Sequence, residues 1–314
     1  MKRILVFCIL LLALTVPATV FVSQSSTPAS SPVAEKTVSA DGRGSQPEQS
    51  ASNQIKIALI DTGVSLKAIE PETVLAGYNY VTNSSDTNDK IGHGTAVASV
   101  LVGSKAAGIS GVSPNARLVS LVVKTRDETG KVQGVKPAIL AQAIYDAVDK
   151  YQVNVINLSI GVTEDFEVLR AAVAHAEQKN VTVISSVGNN KKEAEKRYYP
   201  AAYETVIGVG SHNKENAVSD FSQENNSVML LAPGEDFWMA SRNGKRYGAK
   251  GTSYATAFVS GTVALLLEQN LELPPQKIRT ILCETARDLY AKGYDTQSGF
   301  GSLDRARALQ ALKG

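Results

Sequence analysis

The sequence predicts an α/β protein of three layers, a mostly parallel sheet flanked by helices. Three observations lead there. Short apolar runs alternate with helix-period segments from residue 55 onward. The runs are apolar at successive positions, as strands covered on both faces must be. The segment opened by Pro137 carries Leu140, Ile144 and Val148 every fourth residue, an apolar stripe that faces one side of a helix.

Taken in order, Ile55–Ile60 reads as the first strand and Thr95–Val102 as the helix after it. Arg117–Val123 is followed by the helix Pro137–Lys150, and Val155–Leu158 by the helix Phe166–Lys179. Three further strand runs, Thr182–Ser185, Thr205–Val209 and Val228–Leu231, precede a long small-residue helix, Ser253–Gln269. Pro275–Ala286 is a last helix pattern, and Cys283 on it reads as a buried small hydrophobe. Sites in parallel sheets gather at the carboxyl ends of strands.

The 314 residues are 43% hydrophobic and carry 32 basic against 30 acidic side chains, a net charge of +2. This is the balance of a globular protein, and no overall positive field holds nucleic acid. Two cysteines, Cys8 and Cys283, cannot form a disulfide framework. Met1-Lys2-Arg3 and the apolar run from Ile4 form a basic region and hydrophobic core of an export signal, with small residues at Val16-Pro17-Ala18. The uncharged stretch continues to Val22, so 1–22 is a cleaved signal peptide or a membrane anchor. Either places the rest outside the cytoplasm, secreted or at the cell surface. Residues 23–54 are polar and Pro/Ser-rich, a flexible linker, and 55–314 form one domain.

Four places can carry chemistry. Asp61-Thr62-Gly63 puts an acid at a strand tip before a glycine turn; the same tripeptide occurs in aspartic proteases, and a bland reading is a turn acid. Gly92-His93-Gly94-Thr95 opens a helix and presents an imidazole between glycines, where the helix start disfavours protonation. His175 and His212 have no such frame and read as structural or solvent-exposed. Ser186-Val187-Gly188-Asn189 places an amide at a strand exit, able to donate to an oxyanion or simply to turn the chain. Ser253, at the amino end of a helix, is an N-cap or a nucleophile.

The order Asp61, His93, Asn189, Ser253 is that of an Asp…His…Ser triad with a separate amide donor. From about Ile55 to Leu309 the chain resembles the subtilisin-like serine peptidases, or subtilases. The match lies in Ile57-Ala58-Leu59-Ile60-Asp61-Thr62-Gly63, Gly92-His93-Gly94-Thr95, Val187-Gly188-Asn189 and Gly251-Thr252-Ser253, supported by Asn157-Leu158-Ser159-Ile160-Gly161, Leu231-Ala232-Pro233-Gly234 and Gly299-Phe300-Gly301-Ser302-Leu303-Asp304. It leaves the aspartic-protease reading without support, since there is no second Asp-Thr-Gly. The resemblance implies that Ser253 is nucleophile, His93 general base and Asp61 its orienting acid, with Asn189 in the oxyanion hole. It implies a peptide or protein substrate held by Ser159, Ile160, Gly161, Ser186, Val187, Gly188 and Tyr198, hydrolysis falling below about pH 6.5, and a monomer. Membrane contact is confined to the N-terminal segment.

Departures from the family carry expectations too. Tyr254 stands where methionine is common, Ala257 where a helix proline is usual, and residues 23–53 are too short and polar for the folded prodomain of secreted relatives. No cofactor is required: the calcium loop of many relatives falls at Gly103–Gly108, which offers a lysine and no carboxylate or amide. Asn83–Asp89 has oxygen ligands but reads as a solvated loop. Tyr198, where a small residue is frequent, is expected to shorten the specificity pocket and favour small side chains at the cleaved position.

Overall fold

The structure, a computed structural model, describes residues 54–193 and 195–313. The signal or anchor at 1–22 and the linker up to residue 53 lie outside the described residues. Seven strands make one sheet: β1 (Lys56–Asp61), β2 (Val74–Asn79), β3 (Arg117–Val122), β4 (Val155–Leu158), β5 (Thr182–Ser186), β6 (Ile207–His212) and β7 (Leu230–Pro233). Their order is β2-β3-β1-β4-β5-β6-β7 and every pairing is parallel. Strand order reverses at β1, which opens a crevice at its carboxyl end. Asp61 is the last residue of β1.

The continuous apolar runs are explained by the layers on each face. Ile57, Leu59, Leu118 and Val155 point to a core shared with α1 (His93–Val102) and α4 (Thr252–Gln269). Ala58, Ile60, Val119, Leu121, Ile156 and Leu158 alternate to the other core, under α2 (Pro137–Tyr145) and α3 (Glu167–Gln178). α5 (Pro275–Thr285) and α6 (Arg305–Gln310) add Ile278, Ile281, Leu282 and Ala308 to the α4 side. α4 is buried almost all round, as a helix at the centre of a layer must be. With Ala257 in place of proline it keeps a continuous N–H ladder.

Three features differ from the sequence reading. β2 was not expected, because it is a half-exposed edge strand with Leu75 outward and a register shift between Val74 and Ala76. The helix from Pro137 ends at Tyr145 and its last turn, Asp146–Lys150, widens to a π-helix. β6 starts at Ile207 and runs to His212, whose buried ring bonds Asn213 O through Nδ1 (2.7 Å) and Ser302 Oγ through Nε2 (3.0 Å). His212 is thus a structural clamp at the end of a strand. His175 pairs with Asp149 at 2.9 Å on the far side of the sheet, also structurally.

Candidate active site

Asp61, His93, Asn189 and Ser253 sit at the carboxyl edge of the sheet, each on an element that fixes it. Asp61 ends β1, pairing with Val122 of β3, and is fully buried. Its Oδ1 accepts the Thr62 N–H at 2.7 Å and meets His93 Nδ1 at 2.7 Å. Oδ2 has no partner among the described residues. Gly92 caps α1 at φ 107°, a conformation open to glycine, so that His93 becomes the first helical residue. Gly94 is needed for a different reason. A Cβ there would stand 2.3 Å from the Gly63 carbonyl oxygen, pushing the His93 helix away from the Asp61 turn.

Burial by itself lowers the His93 pKa. The charge of Asp61, its hydrogen bond and the charge of Asp89 outweigh burial and the opposing Lys124, so the pKa stands above the ordinary 6.5. This reverses the sequence expectation, in which the helix start alone disfavoured the protonated ring. Tyr254 lies beside the imidazole, ring centroids 6.0 Å apart, and is held edge-on by Phe237.

Ser253 is not the N-cap of α4. Gly251 is, and Ser253 falls in the first turn, 5% exposed. Its hydroxyl donates to the Ser159 carbonyl at 3.3 Å, while the Ser159 hydroxyl donates to the Ser253 carbonyl at 3.0 Å. The tie extends inward: Ser260 Oγ donates to Asn157 Oδ1 (2.9 Å), and Asn157 Nδ2 to Ser159 Oγ (3.2 Å). Asn157 stands in register with Leu59 of β1, and through Ser260 it pins α4, which carries Ser253, to β4.

Asn189 is oriented by Thr252. Its Oδ1 accepts the Thr252 N–H at 2.8 Å and the Thr252 hydroxyl at 2.9 Å. Only an oxygen can accept both, so the amide nitrogen is turned outward. Nδ2 passes Gly251 so closely that a Cβ there would lie 3.4 Å from it. Ser159, Gly161, Ser186, Gly188, Asn189, Asn190, Tyr198 and Ser253 line one cavity of about 300 Å³. Ile160 and Val187 are not in it. Strand alternation turns Ile160 to the α2–α3 core and Val187 to a small cluster with Ala201, Val228 and Leu231. The Tyr198 side chain packs against both cavity glycines: a Cβ on Gly188 would stand 2.6 Å from its Cδ2, and one on Gly161 3.9 Å from its Cβ.

Sequence reasoning missed Asp89, Thr62 and Asn157. Asp89 is 1% exposed, so Asn83–Asp89 is not simply a solvated loop. An acid three residues before the glycine that caps a helix was the available signal. Its carboxylate is taken up by protein donors. The Gly103–Gly108 segment does not fit calcium either, because the Arg246 guanidinium donates to the carbonyls of Ala107 and Gly108, both at 2.5 Å. The Cys283 thiol is half-buried, and burial pushes its pKa up to about 11.

Residues 52–301 match the Subtilase family, Peptidase_S8, and carry the Asp–His pair, amide and serine just described. The chain belongs to the subtilase family. Among subtilases it is 30% identical over 253 residues to the minor extracellular protease Epr of Bacillus subtilis, covering 79% of this chain and 37% of Epr. The chain therefore spans little more than a third of that relative. It is 31% identical over 264 residues to the major intracellular serine protease of B. subtilis, covering 76% of this chain and 80% of the relative. The subtilase fold is shared with the prenylagaramide maturation protease PagA, with TM-score 0.69, 27% identity, and coverage of 83% and 94%.

Proposed function

We propose that this subtilase is an exported serine endopeptidase working through Asp61, His93 and Ser253. The observations that carry the reading are the 2.7 Å Asp61–His93 pair, whose imidazole lies 6.0 Å from the ring of Tyr254, the residue after Ser253, and the cavity lined by Ser253 and Asn189. A turn of the Ser253 side chain exchanges its long bond to Ser159 for one to the imidazole; such tightening on substrate binding is common. Ser253 then attacks the scissile carbonyl, His93 Nε2 takes the proton and returns it to the leaving amine, and Asp61 steadies the imidazolium. Asn189 Nδ2 and the Ser253 N–H receive the oxyanion. No cofactor enters the scheme.

Labelling of the full chain by a fluorophosphonate serine-hydrolase probe tests this. Labelling that disappears in Ser253→Ala supports it. A folded chain that takes no label would make this a silent subtilase used for binding.

His93 must be neutral to accept the proton, and its pKa is raised, so activity falls as pH drops through a value above 6.5. The pH profile of kcat/KM should show that acid limb; a rate flat to pH 5 contradicts it. Stability runs the other way. The protonated pair stabilises the fold below pH 6.5, and that contribution is lost as pH rises through the folded-state pKa.

Export is supported by Lys2-Arg3 and the apolar run behind them. Relatives work on both sides of the membrane, so pulse-chase fractionation is the deciding experiment. PagA is by name a maturation protease, and removal of a leader from one precursor is the role we favour over broad degradation. The Tyr198 ring in the cavity lining supports a preference for a small residue at the cleaved position. Tyr198→Gly should raise kcat/KM for a peptide with Phe there about 10- to 100-fold relative to Ala. Efficient cleavage after Phe by the unmodified chain contradicts the proposal.

A further inference from the structure

Asp89 accepts five hydrogen bonds. Oδ1 receives the Thr62 hydroxyl (2.9 Å) and the N–H groups of Ile91 (2.9 Å) and Gly92 (2.7 Å); Oδ2 receives the Thr95 N–H (2.9 Å) and hydroxyl (2.7 Å). The donors come from both sides of the Asp61–His93 contact. Thr62 follows Asp61, Ile91 and Gly92 precede His93, and Thr95 lies in the first turn of α1. Because the Thr62 hydroxyl proton is committed to Asp89, its lone pair faces the Gly94 N–H and accepts from it at 2.8 Å. Thr95 Oγ1 in turn accepts the Ser65 N–H at 3.1 Å. One buried carboxylate thus ties the turn after β1 to the helix start that carries the imidazole.

We infer that Asp89 is a positioning residue for His93, holding the imidazole against Asp61 through Thr62 and the Gly92–Gly94 backbone. The inference rests on His93 being the base proposed above. Its charge is a second route of action. The groups facing His93 are Asp61 on β1, Asp89 before α1, Lys124 beyond β3 and Tyr254 on α4. Asp89→Asn keeps an oxygen for the three Oδ1 donors, removes the charge, and turns an NH₂ toward the Thr95 N–H.

Steady-state kinetics over pH on the full chain, with thermal melts, test this against Asp89→Asn, Thr62→Val and Thr62→Ser. Asp89→Asn should lower kcat on the order of 10²-fold with little change in KM, because the base is displaced while the substrate cavity is untouched. Its acid limb should move to lower pH, since one anion facing His93 is gone. Thr62→Val should lower kcat, Thr62→Ser should retain it, and Asp89→Asn/Thr62→Val should cost no more than the worse single variant. A folded Asp89→Asn with unchanged kcat and acid limb overturns the inference, as does one that melts earlier with both unchanged. If Asp89→Asn does not fold, equal kcat for Thr62→Val and Thr62→Ser overturns it. Fluorophosphonate labelling of the unmodified chain keeps the two readings apart. Its absence removes the proposed function and this inference together, whereas labelling with a wild-type-like Asp89→Asn removes only the inference.

Discussion

Ser253→Ala should abolish peptide hydrolysis, lowering kcat about 10⁶-fold, the size known for subtilisin itself rather than one calculated from this site. The variant should fold normally. The Ser253 hydroxyl makes one hydrogen bond, 3.3 Å to Ser159 O, and losing so long a bond costs at most about 1 kcal/mol. α4 stays pinned through Ser260, Asn157 and Ser159, none of which is altered. Single-turnover assays with a labelled peptide, beside a calorimetric melt, check both halves. Retained hydrolysis by a well-folded variant would dismiss Ser253 as nucleophile and return it to a structural place in the first turn of its helix.

The second large effect is at Asn189, where two substitutions should separate orientation from catalysis. Asn189→Ala removes the outward N–H donor and should lower kcat about 10²- to 10³-fold with KM little changed, a magnitude that itself comes from the oxyanion amide of subtilisin. It also leaves the Thr252 N–H and hydroxyl without their acceptor, so stability should fall about 1–3 kcal/mol. Asn189→Asp should largely spare stability. An oxygen remains to accept both Thr252 donors, yet the second oxygen turns a negative charge toward the developing oxyanion. The aspartate variant should therefore melt nearer the unmodified protein and be the slower enzyme of the two. If Asn189→Asp hydrolyses faster than Asn189→Ala, Asn189 does not face the oxyanion.

Asp61, His93, Asn189 and Ser253 were legible because each lies where an apolar period breaks at a small or glycine residue, a local event that a sequence records. β2 was not legible, since an edge strand with one solvated face and a shifted register has neither a continuous apolar run nor clean alternation. Ile160 and Val187 were assigned to the substrate site with their neighbours, but alternation along an extended chain sends every second side chain to the opposite side, and only the sheet says which. Asn157 reads as one polar residue in a buried strand until α4 is laid over it and Ser260 supplies its partner.

The sequence alone determined the alternation of strands and helices, the parallel sheet that follows from runs apolar on both faces, and the residue types and chain order at the strand exits. These follow from periodicity and from the conformations that glycine permits. Tertiary structure decided what depends on charges and donors brought together from distant parts of the chain. Asp61 and Asp89 converge on one imidazole and raise a pKa that the helix start alone would lower. Thr252 rather than any neighbour of Asn189 in sequence aims its amide. The physical reason is one of range. Backbone preference and side-chain period act over a few residues, whereas hydrogen bonds at this site reach across 27 to 103 positions of chain.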